Sequence, residues 1–146
     1  MLPDKQSGIR NLRIFIAEDD PAILELLRVR LELAGYATFF ARDGEAAIDG
    51  ICNVKPDCVI LDIGLPKQDG FAVLRTLRSH NSTRSIPVLM LTARNDAADV
   101  KQALAGGAQD YLAKPFDDQN LLARVARLLG KKVAAAPRNT SQVWEL

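Results

Sequence analysis

Short apolar runs alternate with amphipathic stretches along most of the chain. The runs are four or five residues long and show little polar alternation, which is typical of strands covered on both faces of a parallel sheet. We therefore predict five strands. They lie at Arg13–Ala17, 36–40, Cys58–Asp62, Val88–Thr92 and Asp110–Ala113.

Each predicted strand is followed by apolar residues at helical spacing. Asp20 and Pro21 favour a helix start, with Asp20 as the N-cap, and Gly35 ends that helix. Further helices are expected at 44–53, after Gly70, at about 96–106 and after a cap at Asp117. The expected inward positions are Ile23, Leu26, Leu27, Leu31, Ala34, Ala46, Ala47, Ile48, Ile51, Phe71, Leu74, Leu77, Leu121, Leu122, Val125, Leu128 and Leu129. Right-handed crossovers would then produce an α/β fold, a doubly wound five-stranded parallel sheet.

Composition excludes several classes of protein. The chain has 146 residues, 48% of them hydrophobic and 25% charged, with a net charge of +1, so disorder is excluded for most of its length. No apolar run approaches the roughly 18 residues of a membrane span. The start lacks the apolar core of a signal peptide, so we expect a cytoplasmic protein. The small net charge means that any DNA binding needs a local patch or a further domain.

The ends of the chain differ in composition from its middle. We expect a flexible arm at 1–11, one globular domain at 12–130, and a linker at 131–146 that leads into a truncated output domain. Cys52 and Cys58 are interpreted as buried thiols in a reducing compartment, and His80 as a surface residue.

Polar residues follow the predicted strands at the edge where open parallel sheets bind ligands. Glu18 and Asp19 follow the first strand, Asp62 ends the third, Thr92 ends the fourth and Lys114 follows the fifth. Two carboxylates about 4 Å apart repel each other by about 4 kcal/mol at an effective dielectric of 20. Such a cluster favours Mg²⁺ or Mn²⁺ over Zn²⁺. The nucleophile is expected to be a carboxylate, because neither Cys nor His lies at a strand end.

Five segments of the chain resemble, in order, the receiver domain of two-component response regulators. The resemblance runs from about Arg13 to Leu129 and is greatest to receivers fused to winged-helix DNA-binding domains. It implies the flavodoxin-like (βα)5 fold with strand order 2-1-3-4-5. The segments are 14–20, 59–66, 69–70, 90–93 and 110–116.

The resemblance implies roles for the acidic residues. Asp62 would accept a phosphoryl group from the phosphohistidine of a sensor histidine kinase. Asp19, supported by Glu18, would bind Mg²⁺, or Mn²⁺ in its place, together with Asp62 and the backbone carbonyl of Gly64. For Asp20 we favour the N-cap role over metal binding.

The resemblance also implies a phosphoryl-binding and switching apparatus. Lys114 would pair with the phosphoryl oxygens, and the bond from Lys114 to Pro115 would be cis. The Thr92 hydroxyl and the Ala93 backbone N–H would also bind the phosphoryl group. Tyr111 would then swing inward and move the face formed by helix four, strand five and helix five. The alternative for Tyr111 is an edge-strand aromatic that only stabilises the fold.

Two features depart from the family pattern. Gly64 stands where a larger side chain such as Met is common, which bears on the dephosphorylation rate and on partner access. Homodimerisation through helix four, strand five and helix five is only partly supported. The residues that fit that dimer face are Leu104, Asp110, Leu122 and Arg124, whereas Val100, Gln109 and Asn120 stand where charged partners are expected.

The leading hypothesis is a phosphorylation-controlled switch that is not itself an enzyme and controls transcription through an output domain absent from this chain. The alternative is a stand-alone receiver that signals by protein binding. A more distant alternative is an aspartyl-phosphate phosphatase, which typically has its nucleophile on the first strand and a second Asp two residues later. Here the residue two after Asp62 is Gly64. A flavodoxin-like electron carrier is excluded because acidic residues after strand one would repel its phosphate.

Overall fold

The computed structural model describes residues 11–93 and 97–130, which form one parallel sheet flanked by helices. Among these residues, no helix combines the length and apolar character needed to cross a membrane. The strands are β1 (Arg13–Ala17), β2 (Ala37–Ala41), β3 (Cys58–Asp62), β4 (Val88–Thr92) and β5 (Asp110–Ala113). They pair in the order β2-β1-β3-β4-β5, which confirms the predicted fold class and strand order.

The helices lie on both sides of this sheet. They are α1 (Pro21–Leu33), α2 (Gly44–Val54), α3 (Gly70–Arg78), α4 (Ala97–Ala105) and α5 (Asp118–Leu128). Aspartate side chains cap four of them by accepting backbone N–H groups of the first turn, which satisfies donors that have no partner within the helix. The capping residues are Asp20, Asp43, Asp69 and Asp117.

The core has two layers because successive side chains of a strand point to opposite faces of the sheet. Ile14 and Ile16 of β1 pack in the layer under α1 and α5. Phe15 and Ala17 pack in the layer under α2, α3 and α4. Both faces of β1 are therefore buried, which explains why its sequence lacks polar alternation.

Several predicted inward positions were wrong. In α1 the buried residues are Leu24, Leu27 and Leu31, since spacings of three and four residues place them on one face. Leu26 is 37% exposed, and Ala34 is an exposed C-cap. Smaller corrections affect other elements. Strand β2 lies one residue later than predicted, Ala46 is exposed, and Val73 is buried beside Leu74. Five residues predicted to face inward are only partly buried: Ile23, Ile48, Phe71, Leu122 and Leu128.

The two cysteines differ in their surroundings. Cys58 is buried in β3, and burial raises the pKa of its thiol to about 12. Cys52 is exposed on α2, so the prediction of two buried thiols was wrong for this residue. His80 is exposed, as predicted. The predicted linker at 131–146 and all but the last residue of the predicted arm lie outside the described residues.

Candidate functional site

Three carboxylates meet at the carboxyl edge of the sheet. Because β1 and β3 are parallel neighbours with Ala17 opposite Leu61, the residues that follow Ala17 lie next to Asp62. One carboxylate oxygen from each of Glu18, Asp19 and Asp62 lies within 4.8 Å of the other two. The structure thus brings together the three acidic side chains that the sequence singled out.

Lys114 reaches this cluster from the loop after β5. Its backbone N–H donates to the carbonyl of Thr92 over 2.8 Å. Its Nζ lies 3.0 Å from Glu18 Oε1 and 3.2 Å from Asp62 Oδ1. The bond between Lys114 and Pro115 is cis, the isomer that the resemblance implies.

The site carries more negative than positive charge. Burial raises the pKa of the fully buried Glu18, although the Asp20 backbone N–H and Lys114 oppose that shift. Burial lowers the pKa of Lys114, but its hydrogen bonds and charge interactions with Glu18 and Asp62 outweigh this effect and raise the pKa overall. Three carboxylates thus face one ammonium. This all-oxygen donor set fits a hard divalent cation such as Mg²⁺ or Mn²⁺.

Thr92 supplies a buried hydroxyl at the same edge. It ends β4, is 0% exposed, and its Oγ1 has no hydrogen-bond partner within 11–93 and 97–130. Leaving a buried hydroxyl unpaired costs about 1–3 kcal/mol. A vacant donor of this kind suits a site that receives an acceptor oxygen.

A shallow groove of about 310 Å³ lies beside Lys114. The exposed residue Ala93, which follows Thr92, lines one side of the groove. Side chains of α1 and residues of the loop after β5 line the rest. Its lining residues are Ile23, Leu26, Ala93, Lys114, Pro115 and Phe116. Leu26, which was predicted to face inward, therefore lines this groove.

Strand β5 carries a second charged cluster at its other end. Asp110 Oδ1 lies 2.7 Å from Arg124 Nη1, and Asp110 Oδ2 lies 3.6 Å from Arg127 Nη1. The Arg124 guanidinium also lies 5.8 Å from the centroid of the half-buried Tyr111 ring. The charged pair predicted for a dimer face thus forms within one chain.

The other residues of that face also have defined positions. Leu104 is 46% exposed and Leu122 is half-buried. Gln109 accepts hydrogen bonds from the Val88 N–H over 2.7 Å and from Arg78 over 3.1 Å. Gln109 therefore has an internal structural role where a charged surface partner was expected.

Sequence reasoning missed one ion pair and two packing contacts at the site. It did not anticipate that Glu18 pairs directly with Lys114, that Gly44 packs against the backbone of Gln68, or that Gly70 packs against the backbone of Asp62 and Ile63. The Asp43-Gly44 and Asp69-Gly70 dipeptides are typical turn signals and were the available clue. Asp20 is the N-cap of α1, as predicted.

Comparison with known proteins identifies the family. The sequence model of the response regulator receiver domain family matches residues 14–126. The chain therefore belongs to this family, which confirms the resemblance drawn from the sequence.

Two curated relatives are transcriptional or response regulators by name. The chain is 47% identical over 123 residues to the DNA-binding dual master transcriptional regulator RpaA of Synechocystis, covering 80% of this chain and 48% of RpaA. It is 44% identical over 118 residues to response regulator MprA of a Mycobacterium species, covering 81% and 50%. The chain thus spans about half the length of these relatives.

Solved structures share the fold closely. A putative response regulator of Chloroflexus aurantiacus has a TM-score of 0.81 and 38% identity, over 83% of this chain and 99% of that one. The receiver domain of a sensor histidine kinase of Pseudomonas aeruginosa has a TM-score of 0.77 and 30% identity over the same shares. The latter structure has a magnesium ion coordinated in its active-site cleft.

Proposed function

We propose that the chain is the phosphoacceptor domain of a two-component response regulator and that Asp62 receives the phosphoryl group. The observation that carries the proposal is the Lys114 ammonium lying between Asp62 and Glu18, at 3.2 and 3.0 Å. A lysine held against the acceptor carboxylate is placed to bind the oxygens of a group attached there. The Thr92 hydroxyl at the same edge, which has no hydrogen-bond partner in the described part of the chain, supports this arrangement.

The proposed transfer is a direct displacement at phosphorus. A carboxylate oxygen of Asp62 attacks the phosphorus of a phosphohistidine on a sensor histidine kinase. The phosphorus–nitrogen bond breaks, its electron pair stays on the imidazole, and an acyl phosphate forms on Asp62. Positioning and charge neutralisation supply most of the catalysis in such transfers.

Glu18, Asp19, Asp62 and the Gly64 carbonyl are the groups that would hold Mg²⁺. When bound, the ion neutralises carboxylate and phosphoryl charge. Lys114 stays protonated, and its N–H groups donate hydrogen bonds to phosphoryl oxygens. This division of roles matches the excess of carboxylates over ammonium groups in the cluster.

The response would pass from Thr92 to the face formed by α4, β5 and α5. The Thr92 hydroxyl and the Ala93 N–H donate to the phosphoryl group, and Tyr111 of β5 moves inward behind them. That face would then control homodimerisation and DNA binding by an output domain. The similarity to the DNA-binding regulator RpaA supports the DNA-binding part of this proposal.

The test is phosphorylation of the purified chain by acetyl phosphate with Mg²⁺, followed by intact-mass measurement. We expect one phosphoryl adduct, lost in Asp62→Asn and in EDTA. Asp49→Asn, which alters an exposed carboxyl of α2, is the matched control and should keep the adduct. A folded wild type without an adduct, or an adduct on Asp62→Asn, would falsify the assignment of Asp62.

A further inference from the structure

We propose that Gly44, the first residue of α2, positions the β3–α3 loop and through it the metal and phosphoryl site. The β3–α3 loop is the segment 63–69, which joins Asp62 to α3. The inference rests on the proposed function, because it concerns how that site is held in place. Gly44 is a positioning residue, since it acts through the loop.

The amino end of α2 packs directly against the backbone of the β3–α3 loop. The Gly44 N–H donates to the carbonyl of Pro66 over 3.0 Å. A β-carbon on Gly44 would overlap the Gln68 carbonyl oxygen and lie 2.7 Å from its carbonyl carbon. Because these are backbone atoms, no side-chain rotation relieves the overlap. Any larger residue must displace either the loop or the helix.

The rest of the loop is held by its own neighbours. The Gly70 N–H donates to the carbonyl of Ile63 over 2.8 Å, and the Gln68 N–H donates to Pro66 over 2.9 Å. Leu65 is 5% exposed and packs in the core layer under α2 and α3. At Gly44, helix α2 therefore contacts the loop through backbone atoms.

Displacement at this contact would reach the site over a short distance. Gly64 is exposed, and among the described residues a β-carbon there would meet only Asp62 Oδ2, at 3.9 Å. Side-chain packing at Gly64 therefore does little to hold this part of the loop. Pro66 lies two residues further on, at most about 7 Å away along an extended chain. A shift of Pro66 and Gln68 would thus move the carbonyl proposed as a metal ligand.

The experiment compares Gly44→Ala with Gly50→Ala. Gly50 lies in the same helix, and a β-carbon there would lie 2.5 Å from Phe15 Cζ in the core, not against the loop. Mg²⁺ affinity would be measured by isothermal titration calorimetry, and stability by urea unfolding in EDTA. We expect both variants to lose stability, but only Gly44→Ala to lose Mg²⁺ affinity, by about tenfold, as when a group that orients a metal ligand is lost.

Two outcomes would overturn the proposal in distinguishable ways. Equal Mg²⁺ affinity in the wild type and both variants would overturn the role of Gly44 alone. A folded wild type that does not bind Mg²⁺ would overturn the proposed metal site and this inference with it.

A measurement on the wild type decides the matter if Gly44→Ala does not fold. Coupling between two sites is reciprocal, so Mg²⁺ held by the loop should strengthen the Gly44–Pro66 hydrogen bond. Hydrogen exchange of the Gly44 amide should then slow severalfold on adding Mg²⁺, relative to the Gly50 amide. Unchanged exchange at Gly44 would contradict the proposal.

Discussion

Strand β5 has a charged cluster at each end, and the two clusters differ in their balance of charge. After its carboxyl end, Lys114 faces Glu18 and Asp62, with Asp19 beside them. At its amino end, Asp110 faces two guanidinium groups, those of Arg124 and Arg127. The first cluster has three carboxylates and one ammonium, with Glu18 and Asp62 buried, whereas the second has one carboxylate and two guanidinium groups.

This difference in charge balance favours cation binding at the Lys114 cluster. Buried charge without compensation is expensive and favours binding of an opposite charge. The Lys114 cluster would therefore gain from a divalent cation, whereas the Asp110 cluster has no excess of carboxylates. The two lie about 13 Å apart along the strand, at about 3.3 Å per residue, and Tyr111 lies between them. We therefore expect Mg²⁺ to affect the Lys114 cluster and to leave the Asp110 cluster unchanged.

The largest effect is expected from Lys114→Gln. Removing the ammonium leaves Glu18 and Asp62 without their shared cation, so the free energy of unfolding in EDTA should fall by about 3 kcal/mol. Millimolar Mg²⁺ should restore most of this loss, because the ion replaces the missing positive charge. Urea unfolding in EDTA and in Mg²⁺ measures both quantities. A variant as stable as the wild type in EDTA would contradict the proposed charge imbalance.

A smaller and metal-independent effect is expected from Asp110→Asn. The variant weakens the 2.7 Å pair with Arg124, and the free energy of unfolding should fall by about 2 kcal/mol, as for a hydrogen bond between charged groups. The loss should be the same in EDTA and in Mg²⁺. If Mg²⁺ restored the stability of this variant, the two clusters would not differ as described.

The smallest expected effect is a difference in how the free energy of unfolding depends on pH. The pKa of Lys114 is raised above its ordinary 10.5, so the folded state keeps this proton longer than the unfolded state. Its contribution is complete below about pH 10.5 and is lost as pH rises through the folded pKa. The free energy of unfolding in EDTA should therefore fall less steeply above pH 10.5 in Lys114→Gln than in the wild type. Asp110→Asn should keep the wild-type slope, and equal slopes in all three would count against the shift.

Much of the fold and the site was predictable because both depend on local pattern and strand polarity. Four of the five predicted strands have the observed bounds, since runs buried on both faces lack polar residues that would blur their ends. Asp62, Thr92 and Lys114 could be placed at one edge because parallel strands end on the same side of a sheet. The position of β2, an edge strand with one buried residue, was off by one because its apolar pattern is weaker.

The remainder depended on contacts between residues distant in the chain. Helical periodicity in α1 allowed either Leu24 or Leu26 to face the core, and packing against the sheet selected Leu24. The sequence offered Asp110 and Arg124 as a charged pair of a possible dimer face, and their placement on β5 and α5 brings them together within one chain. The homodimer itself stays a prediction.

The sequence by itself determined the order of strands and helices, the edge of the sheet where Asp62, Thr92 and Lys114 meet, and the residue types found there. Only the tertiary structure decided that Lys114 bridges Glu18 and Asp62 and that the backbone of Gly44 meets that of Gln68. The physical reason is the distance along the chain between the residues that set each feature. Hydrophobic periodicity and strand polarity are read within a few residues, whereas distances between charged groups and backbone overlaps arise only when separate segments pack together.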